Sequence, residues 1–374
     1  MADFKVLTIN PGSTSTKVAL FEGDKELFNV NVNHDSEMLN KFPDPVDQLQ
    51  FRYDTIESIV KEQGYDLNDV DAFSGRGGSM VACQSGVFVV NDFLAEGVRN
   101  HPIRHPAMLG ALLAKTFADK YGKKAFTMNS PDTDEMIDVA RVTGIDGVYR
   151  ESRAHTLNQK ETGIRMAKTM GLDYNKNNFV IAHLGGGISI SAHRAGRMID
   201  TTDAIQGDGP MGPTRCGAIA VKSLLKLLDK GMSLDDVKNL ASKTGGFINL
   251  AGTNDAYEVY KLGKEGDEYA KLLWDAFVYQ VAKCIGAMAC ALEGKVDGII
   301  ITGGIAKNDD LFKDLERMCG FIAPLVRKPG EFEMEALASG AIRVLSGEIE
   351  PTPYDGKPFW KGFDELKAKS KIGK

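Results

Sequence analysis

The chain has 374 residues, 43% of them apolar, and sets 45 Lys and Arg against 51 Asp and Glu for a formal charge of −6. That length exceeds one ordinary core, so two domains of ~150 to 200 residues are expected. The acidic balance, with no cluster of Lys or Arg, points away from nucleic acid and membrane surfaces and towards small metabolites.

From Phe4 the chain enters three strand-like runs, Phe4 to Asn10, Thr16 to Glu22 and Glu26 to His34, without the basic start, apolar block and cleavage site of a secretory signal. A cytoplasmic protein is therefore expected. The turn Pro11-Gly12-Ser13-Thr14-Ser15 joins the first two runs as a β-hairpin, and a glycine-rich turn of this kind offers backbone N–H groups to an anion. A helix is predicted from about Thr55 to Gln63, then a strand that ends at Gly75-Arg76-Gly77-Gly78. Ala107 to Tyr121 reads as a helix, Ala125 to Met128 as a strand and Asn129 to Asp134 as a polar turn. A helical stretch around Glu135 to Val142 follows, then a helix from Thr156 to Met170 that stops at Gly171.

The second half restarts at Phe179 and repeats the hairpin as Ala182-His183-Leu184-Gly185-Gly186-Gly187-Ile188-Ser189-Ile190. Asn10/His183, Gly12/Gly185 and Gly23/Gly196 share one offset of 173 residues. Val70 to Gly78 answers Val296 to Gly304 at an offset of 226, again a strand followed by Gly-Gly. Two matches in the same order indicate duplication of one α/β unit, with the copies expected to face each other across a cleft and hold one polyphosphate. Helices are predicted at Ala218 to Asp229, after the cap Ser233-Leu234-Asp235-Asp236, at Tyr269 to Leu292 and at Glu333 to Leu345, with a strand at Gly298 to Thr302. Lys271, Asp275, Gln280 and Lys283 mark the third of these helices as buried and amphipathic rather than membrane-spanning. Domains are placed at 1–155 and 156–350, with the last helix (333–348) packing back onto the first and a peripheral tail over 351–374. The five cysteines are scattered without metal-type spacing, which suits free thiols in a reducing compartment.

No G-x-x-x-x-G-K-[ST] sequence is present, so a nucleotide would be held by the hairpins rather than by a P-loop. Phosphoryl transfer needs cations and donors where negative charge spreads over the moving oxygens. Arg76, His183 and Arg215 stand beside glycine turns, and Lys17 is the lysine nearest the first hairpin. A lone Arg or His beside Gly is commonly a turn cap, but three of them favour a functional reading. His105 and His155, each next to a helix start, read as caps or core residues, and His34, His101 and His193 as structural or exposed. Acidic candidates are Asp132, Asp134 and Glu135 in one turn and Glu331, Glu333 and Glu335 before the last helix, where acids also serve as helix-dipole partners.

The strings LTINPGSTSTK, GRGG, HLGGGISISAHRAGRMID, GPMGPTRCG, LAGTNDA and ITGGIA, in this order, resemble the butyrate kinase branch of the acetate kinase family over Val6 to about Gly347. The resemblance implies an α/β fold of two duplicated actin-like (ribonuclease H-like) domains, with mixed five-stranded sheets flanked by helices around a central nucleotide cleft. It also implies a homodimer or higher homo-oligomer that uses ATP/ADP and Mg²⁺ to phosphorylate a small carboxylate. By position, Asn10, Ser13, Ser15 and Lys17 match the first phosphate motif and His183 with Gly185, Gly186 and Gly187 the second. Arg76 and Arg215 match the arginines that hold the carboxylate and the transferring group, His155 the transition-state histidine, and His105 a further active-site histidine. Asn254 and Asp255, with Gly303, Gly304 and Ile305, match the adenosine side, and Glu333 the glutamate linked to magnesium.

The chain also departs from that pattern. Asn129 stands where the family carries an aspartate that helps hold Mg²⁺, so Asp132 or Asp134 takes over or the kinase is weakened. Ser79 to Gly86 replaces the usual continuation after Arg76, and Ala154 replaces a bulky aromatic beside the catalytic histidine. Ala154, Arg104 and Ile205 are thus assigned to the acyl pocket. At ~0.8 kcal/mol per buried methylene such a pocket favours acids longer than acetate. An inward Arg104 would favour a polar acid instead. The expected activity is butyrate kinase, with a branched or other small acid, or a weakened nucleotide-binding paralogue, as alternatives.

Overall fold

The computed structural model describes residues 3–372. Alternating apolar residues set the first sheet: β1 (Lys5–Pro11), β2 (Ser15–Glu22), β3 (Lys25–Asn33), β4 (Ala72–Gly75), β5 (Val87–Val89) and β6 (Lys124–Met128). Their order is β3-β2-β1-β4-β6-β5, so the antiparallel meander β1 to β3 continues through the parallel strands β4 and β6. The second sheet has β7 (Asn178–Leu184), β8 (Ile188–Arg194), β9 (Arg197–Thr201), β10 (Gly298–Gly303) and β11 (Leu325–Pro329) in the order β11-β10-β7-β8-β9. The two sheets repeat each other in register. Val6 pairs with Ala72 where Phe179 pairs with Gly298, which preserves both sequence offsets. The turns differ slightly: the first hairpin closes with Pro11 opposite Thr16, the second with Leu184 opposite Ile188.

The first sheet carries a sixth strand beyond the five expected. β5 pairs antiparallel with β6 at the sheet edge, and its three residues are too short to leave a periodic signal. Helices predicted from periodicity form with small boundary shifts at Leu109–Tyr121, Thr156–Thr169 and Glu268–Ala291, whereas Leu49–Glu62 begins six residues before the expected Thr55. The stretch around Glu135 to Val142 contains one turn only, Asp138–Arg141, because the Ile137 N–H donates to the Ile199 carbonyl and holds the chain extended there.

Two compact units result. One contains the chain up to Glu135 together with everything from Leu337 onward, and the other spans Met136–Ala336. The chain therefore enters the second unit at Met136 rather than at 156. Arg150 explains this, since it donates to Asp200 at 2.8 Å and to the Thr201 carbonyl at 2.7 Å and so ties its segment to β9. The helix Glu333–Leu345 leads back into the first unit, where Gly340 lies against Met128 and Val87. The segment after Pro351 is not peripheral along its whole length. Thr352 N–H donates to the Val87 carbonyl at 2.7 Å, Phe359 N–H to the Ala82 carbonyl at 2.8 Å, and the Tyr354 ring meets Phe88 and Phe93.

Each unit has its own core. In the first, Tyr53, Phe73 and Phe117 stack beneath the sheet, with Tyr53 and Phe117 centroids 4.2 Å apart. In the second, Leu273, Phe277, Val281, Ile285 and Met288 of the helix Glu268–Ala291 cover the β7/β8 face at helical spacing. Side chains of this size contribute roughly 1.5–3 kcal/mol each on burial. Among the described residues no helix is long and apolar enough to cross a membrane.

Gly75 decides how closely the helix Leu109–Tyr121 approaches the end of β4, since a Cβ there would lie 1.8 Å from the Gly110 carbonyl oxygen. Backbone is met here, so nothing can swing aside. Gly75→Ala is expected to lower stability by about 3 kcal/mol, measured by urea unfolding, while a substitution at Gly144, which has open space around it and no left-handed backbone, should be far milder.

Candidate functional site

In the first unit Asn10 lies one residue before the end of β1, opposite Lys17 on β2, and Arg76 follows directly on β4. The Arg76 N–H donates to the Ile9 carbonyl at 2.9 Å, and its Nη1 lies 3.4 Å from Asn10 Oδ1. The sheet thus brings Asn10, Lys17 and Arg76 to one strand end. The turn carrying Ser13 and Ser15 closes with Gly12 N–H donating to the Ser15 carbonyl at 2.8 Å.

That turn has a support which sequence reasoning missed. Arg52, fully buried, donates to the Gly12 carbonyl at 2.9 Å, to the Ser15 carbonyl at 2.7 Å and to Thr16 Oγ1 at 3.0 Å. Engaging these oxygens from beneath fixes the turn's backbone. Burial pulls the Arg52 guanidinium down to about 10. Position 52 lies on a helix far along the chain, and only tertiary packing reveals its role.

The segment after Arg76 is pinned by the polar turn. Ser79 Oγ donates to the Ile103 carbonyl, Met80 N–H to Asp132 Oδ2 at 3.2 Å, and Ser85 N–H and Oγ to Glu135 at 3.1 and 2.6 Å. Asn129 takes a left-handed backbone, φ 41°, which asparagine tolerates well, and its Oδ1 accepts the Gly86 N–H at 2.9 Å. Asp132 and Asp134 are both buried. His105 caps the turn Pro106–Met108, accepting the Ala107 N–H at Nδ1. Although part of its ring meets solvent, surrounding protein and then the Arg76 guanidinium lower its pKa, against the pull of Asp132.

Arg104 does not serve an acyl pocket. Its Nε donates to Asp44 at 2.8 Å and its Nη1 to the Arg99 and His101 carbonyls, so the guanidinium is committed to a surface clamp. Of the other residues assigned to the pocket, Ala154 is buried in the second unit and Ile205 is largely exposed there. The Ala204 N–H donates to the Arg153 carbonyl at 2.9 Å, which brings the two segments together.

The second unit gathers its phosphate-binding candidates tightly. His183 ends buried on β7, with Nδ1 3.0 Å from Asn158 Oδ1, and its ring stacks on His155 with centroids 4.0 Å apart and planes at 12°. Gly187 leaves the place the arginine takes: a Cβ there would lie 1.9 Å from Arg215 Nη1 and 3.1 Å from His155 Cε1, so the guanidinium would have to move away. Arg215 Nε and Nη1 are buried without a hydrogen-bond partner. Burial lowers the Arg215 pKa, with Asp203 opposing. Unsatisfied buried guanidinium donors are costly unless an anion completes them, and this one stands beside two imidazoles and a glycine turn.

Next to that cluster lies a cavity of about 500 Å³ lined by Gly185, Gly186, Asn254, Asp255, Gly304 and Ile305, together with Pro213, Tyr257, Trp274, Lys307, Asn308 and Glu331. Its size suits a nucleoside. Gly303 (φ 91°) exchanges backbone hydrogen bonds with Gly330 and leaves no room for a Cβ against the Leu184 carbonyl, which shapes the cavity floor. Asp255 caps the helix Ala256–Lys264 by accepting the Tyr257 N–H. Glu331, not Glu333, lines the cavity, and its Oε1 lies 3.6 Å from where a Gly185 Cβ would be. Tyr257, Lys307 and Asn308 escaped sequence reasoning because such types are common on any surface. Among the described residues no three His, Cys, Asp or Glu side chains group as a metal centre.

A profile of the Acetokinase family matches residues 147–320. Butyrate kinase 2 of Clostridium acetobutylicum is 41% identical over 357 residues, which cover 94% of this chain and 99% of that protein. A probable butyrate kinase of Listeria welshimeri is 42% identical over 346 residues, 92% of this chain and 98% of the relative. The crystal structure of Porphyromonas gingivalis acetate kinase superposes with a TM-score of 0.74 over 91% of this chain and 100% of the other, at 21% identity. That likeness establishes the fold as the duplicated, actin-like α/β architecture. On the strength of these near-full-length relatives, the chain belongs to the acetokinase family.

Proposed function

We propose that this protein is a short-chain carboxylate kinase acting on butanoate in the cytoplasm as a homodimer. A carboxylate oxygen attacks the γ-phosphorus of ATP in line, the bond to the β,γ-bridging oxygen breaks, and acyl phosphate and ADP leave; the step is reversible. One observation carries the reading: the buried, unpartnered Nε and Nη1 of Arg215 beside the stacked His155 and His183 rings and the open Gly185–Gly187 turn. Donors held ready in this way stabilise charge that develops on the equatorial phosphoryl oxygens.

The adjoining cavity takes the nucleoside, with Gly304 and Ile305 against the base and Asn254 and Asp255 near the ribose. On the first unit Asn10, Ser13, Ser15 and Lys17 supply phosphate contacts, Arg76 grips the carboxylate and His105 assists. Magnesium is assigned to carboxylate oxygens, on the first unit those of Asp132 and Asp134 and on the second those of Glu333 and Glu331, and when bound it would neutralise phosphate charge. Ala154, buried and small, leaves room for a longer acyl chain.

Trapping acyl phosphate as its hydroxamate tests the reaction. Product should form with butanoate and ATP, and ATP binding without product would reject the proposal. Arg215→Ala should lower kcat by about 10²- to 10³-fold in that assay. Ala154→Val should move the kcat/KM preference from butanoate towards acetate by about tenfold, the worth of roughly two lost methylene contacts. His105 has a folded pKa below the ordinary 6.5, so beneath that value the unfolded chain binds more protons and stability rises with pH. His105→Gln should flatten that slope in urea unfolding series from about pH 5 to about pH 7.

A further inference from the structure

A chain of buried side chains runs behind His155, and its hydrogen-bond polarity can be fixed from one end. Gln159 Nε2 lies 3.0 Å from the Ser189 carbonyl oxygen, which only accepts, so the amide is oriented with its NH₂ group towards Ser189. The same NH₂ donates to Ser189 Oγ at 2.8 Å, and the His155 backbone N–H donates to that oxygen at 3.2 Å. Both lone pairs of the hydroxyl are then occupied. Its own proton is left for the third neighbour, His155 Nδ1 at 2.9 Å.

On the far side, Gln159 Oε1 accepts from His193 Nε2 at 3.1 Å, which leaves His193 Nδ1 to accept the Tyr174 hydroxyl proton at 2.7 Å. Gln159, Ser189 and His193 are wholly buried and Tyr174 nearly so. Water therefore has little chance to reverse the order.

We propose that Ser189, held by Gln159, His193 and Tyr174, is a positioning residue that fixes His155 as the neutral tautomer with its proton on Nε2. In an imidazolium, Nδ1–H would point at a hydroxyl with no lone pair to receive it, and the ring would carry its charge against the His183 ring stacked 4.0 Å away. The neutral ring donates from Nε2 and cannot swivel, because the Ser189 hydroxyl holds its other nitrogen. This inference rests on the kinase reading, in which the ring meets the transferring phosphoryl group. It adds why a second-sheet serine and a helix glutamine matter to that step.

Ring-nitrogen NMR on the full chain labelled at the histidine imidazoles tests it, with the His155 signals identified by their loss in His155→Gln. The wild type should show a protonated Nε2 and a bare Nδ1. Ser189→Ala should release the tautomer and lower kcat by about 10- to 100-fold with KM for ATP and carboxylate unchanged, and Ser189→Thr, which restores the hydroxyl, should recover the wild-type ring signature. A wild-type ring protonated on Nδ1 overturns the proposal, whether or not any variant folds. So does a Ser189→Ala enzyme that keeps its tautomer, or one that changes tautomer at full kcat. If the wild type formed no hydroxamate at all, the kinase reading would fall, while the ring spectrum would still decide the state of His155.

Discussion

The end of the second unit that gathers His155, His183 and Arg215 depends on one missing atom. Without a side chain at Gly187, the Arg215 guanidinium can lie against the hairpin turn, 1.9 Å from where a Cβ would stand, with His155 just beyond it. Any other residue would force the arginine out, and the stacked imidazoles would lose the cation beside them. The hairpin turn is therefore the surface against which a half-buried arginine is packed with two of its donors unmet.

Three arginines that lie wholly or partly out of solvent, Arg52, Arg150 and Arg215, are used in two different ways. Arg52 is saturated: two turn carbonyls, a threonine hydroxyl and Gln48 accept from it, so its charge is spent on shaping the first phosphate turn. Arg150 is likewise engaged, by Asp200, Asp208 and two carbonyls. Arg215 keeps Nε and Nη1 unsatisfied. A protein tolerates such a cost where a ligand will offset it; Arg141 Nε and Arg327 Nη1 are also unsatisfied, so it is the pair of open donors beside the stacked imidazoles and the glycine turn that marks Arg215. Sequence pattern cannot make this distinction, because all three are single arginines without a periodic context.

The relay behind His155 has the same character. Ser189 and His193 alternate on β8 as ordinary inward-facing strand residues, and Gln159 sits one helical turn after His155. Their types carry no motif. Their meaning comes from the helix Thr156–Thr169 lying against β7 and β10, which brings an amide, a hydroxyl and two imidazoles into one buried line. Arg104 shows the converse: its place just before His105 hinted at a pocket, and Asp44, sixty residues earlier, took it for the surface.

By itself the sequence determined the duplication, the two glycine hairpins, the strand-then-Gly-Gly segments and the family, because each is written in contiguous residues or a constant offset. Family resemblance also assigned Gly185, Gly186, Asn254, Asp255, Gly304 and Ile305 to the nucleotide, and these six line one cavity. Tertiary structure alone decided where the chain changes unit, that Thr352 to Phe359 dock on the first sheet, that Glu331 rather than Glu333 lines the cavity, and that Arg215 keeps two donors open beside the stacked imidazoles. The physical reason is common to all of these. Local pattern fixes backbone conformation and the face a side chain takes, whereas hydrogen-bond satisfaction is settled by partners that arrive from remote parts of the chain.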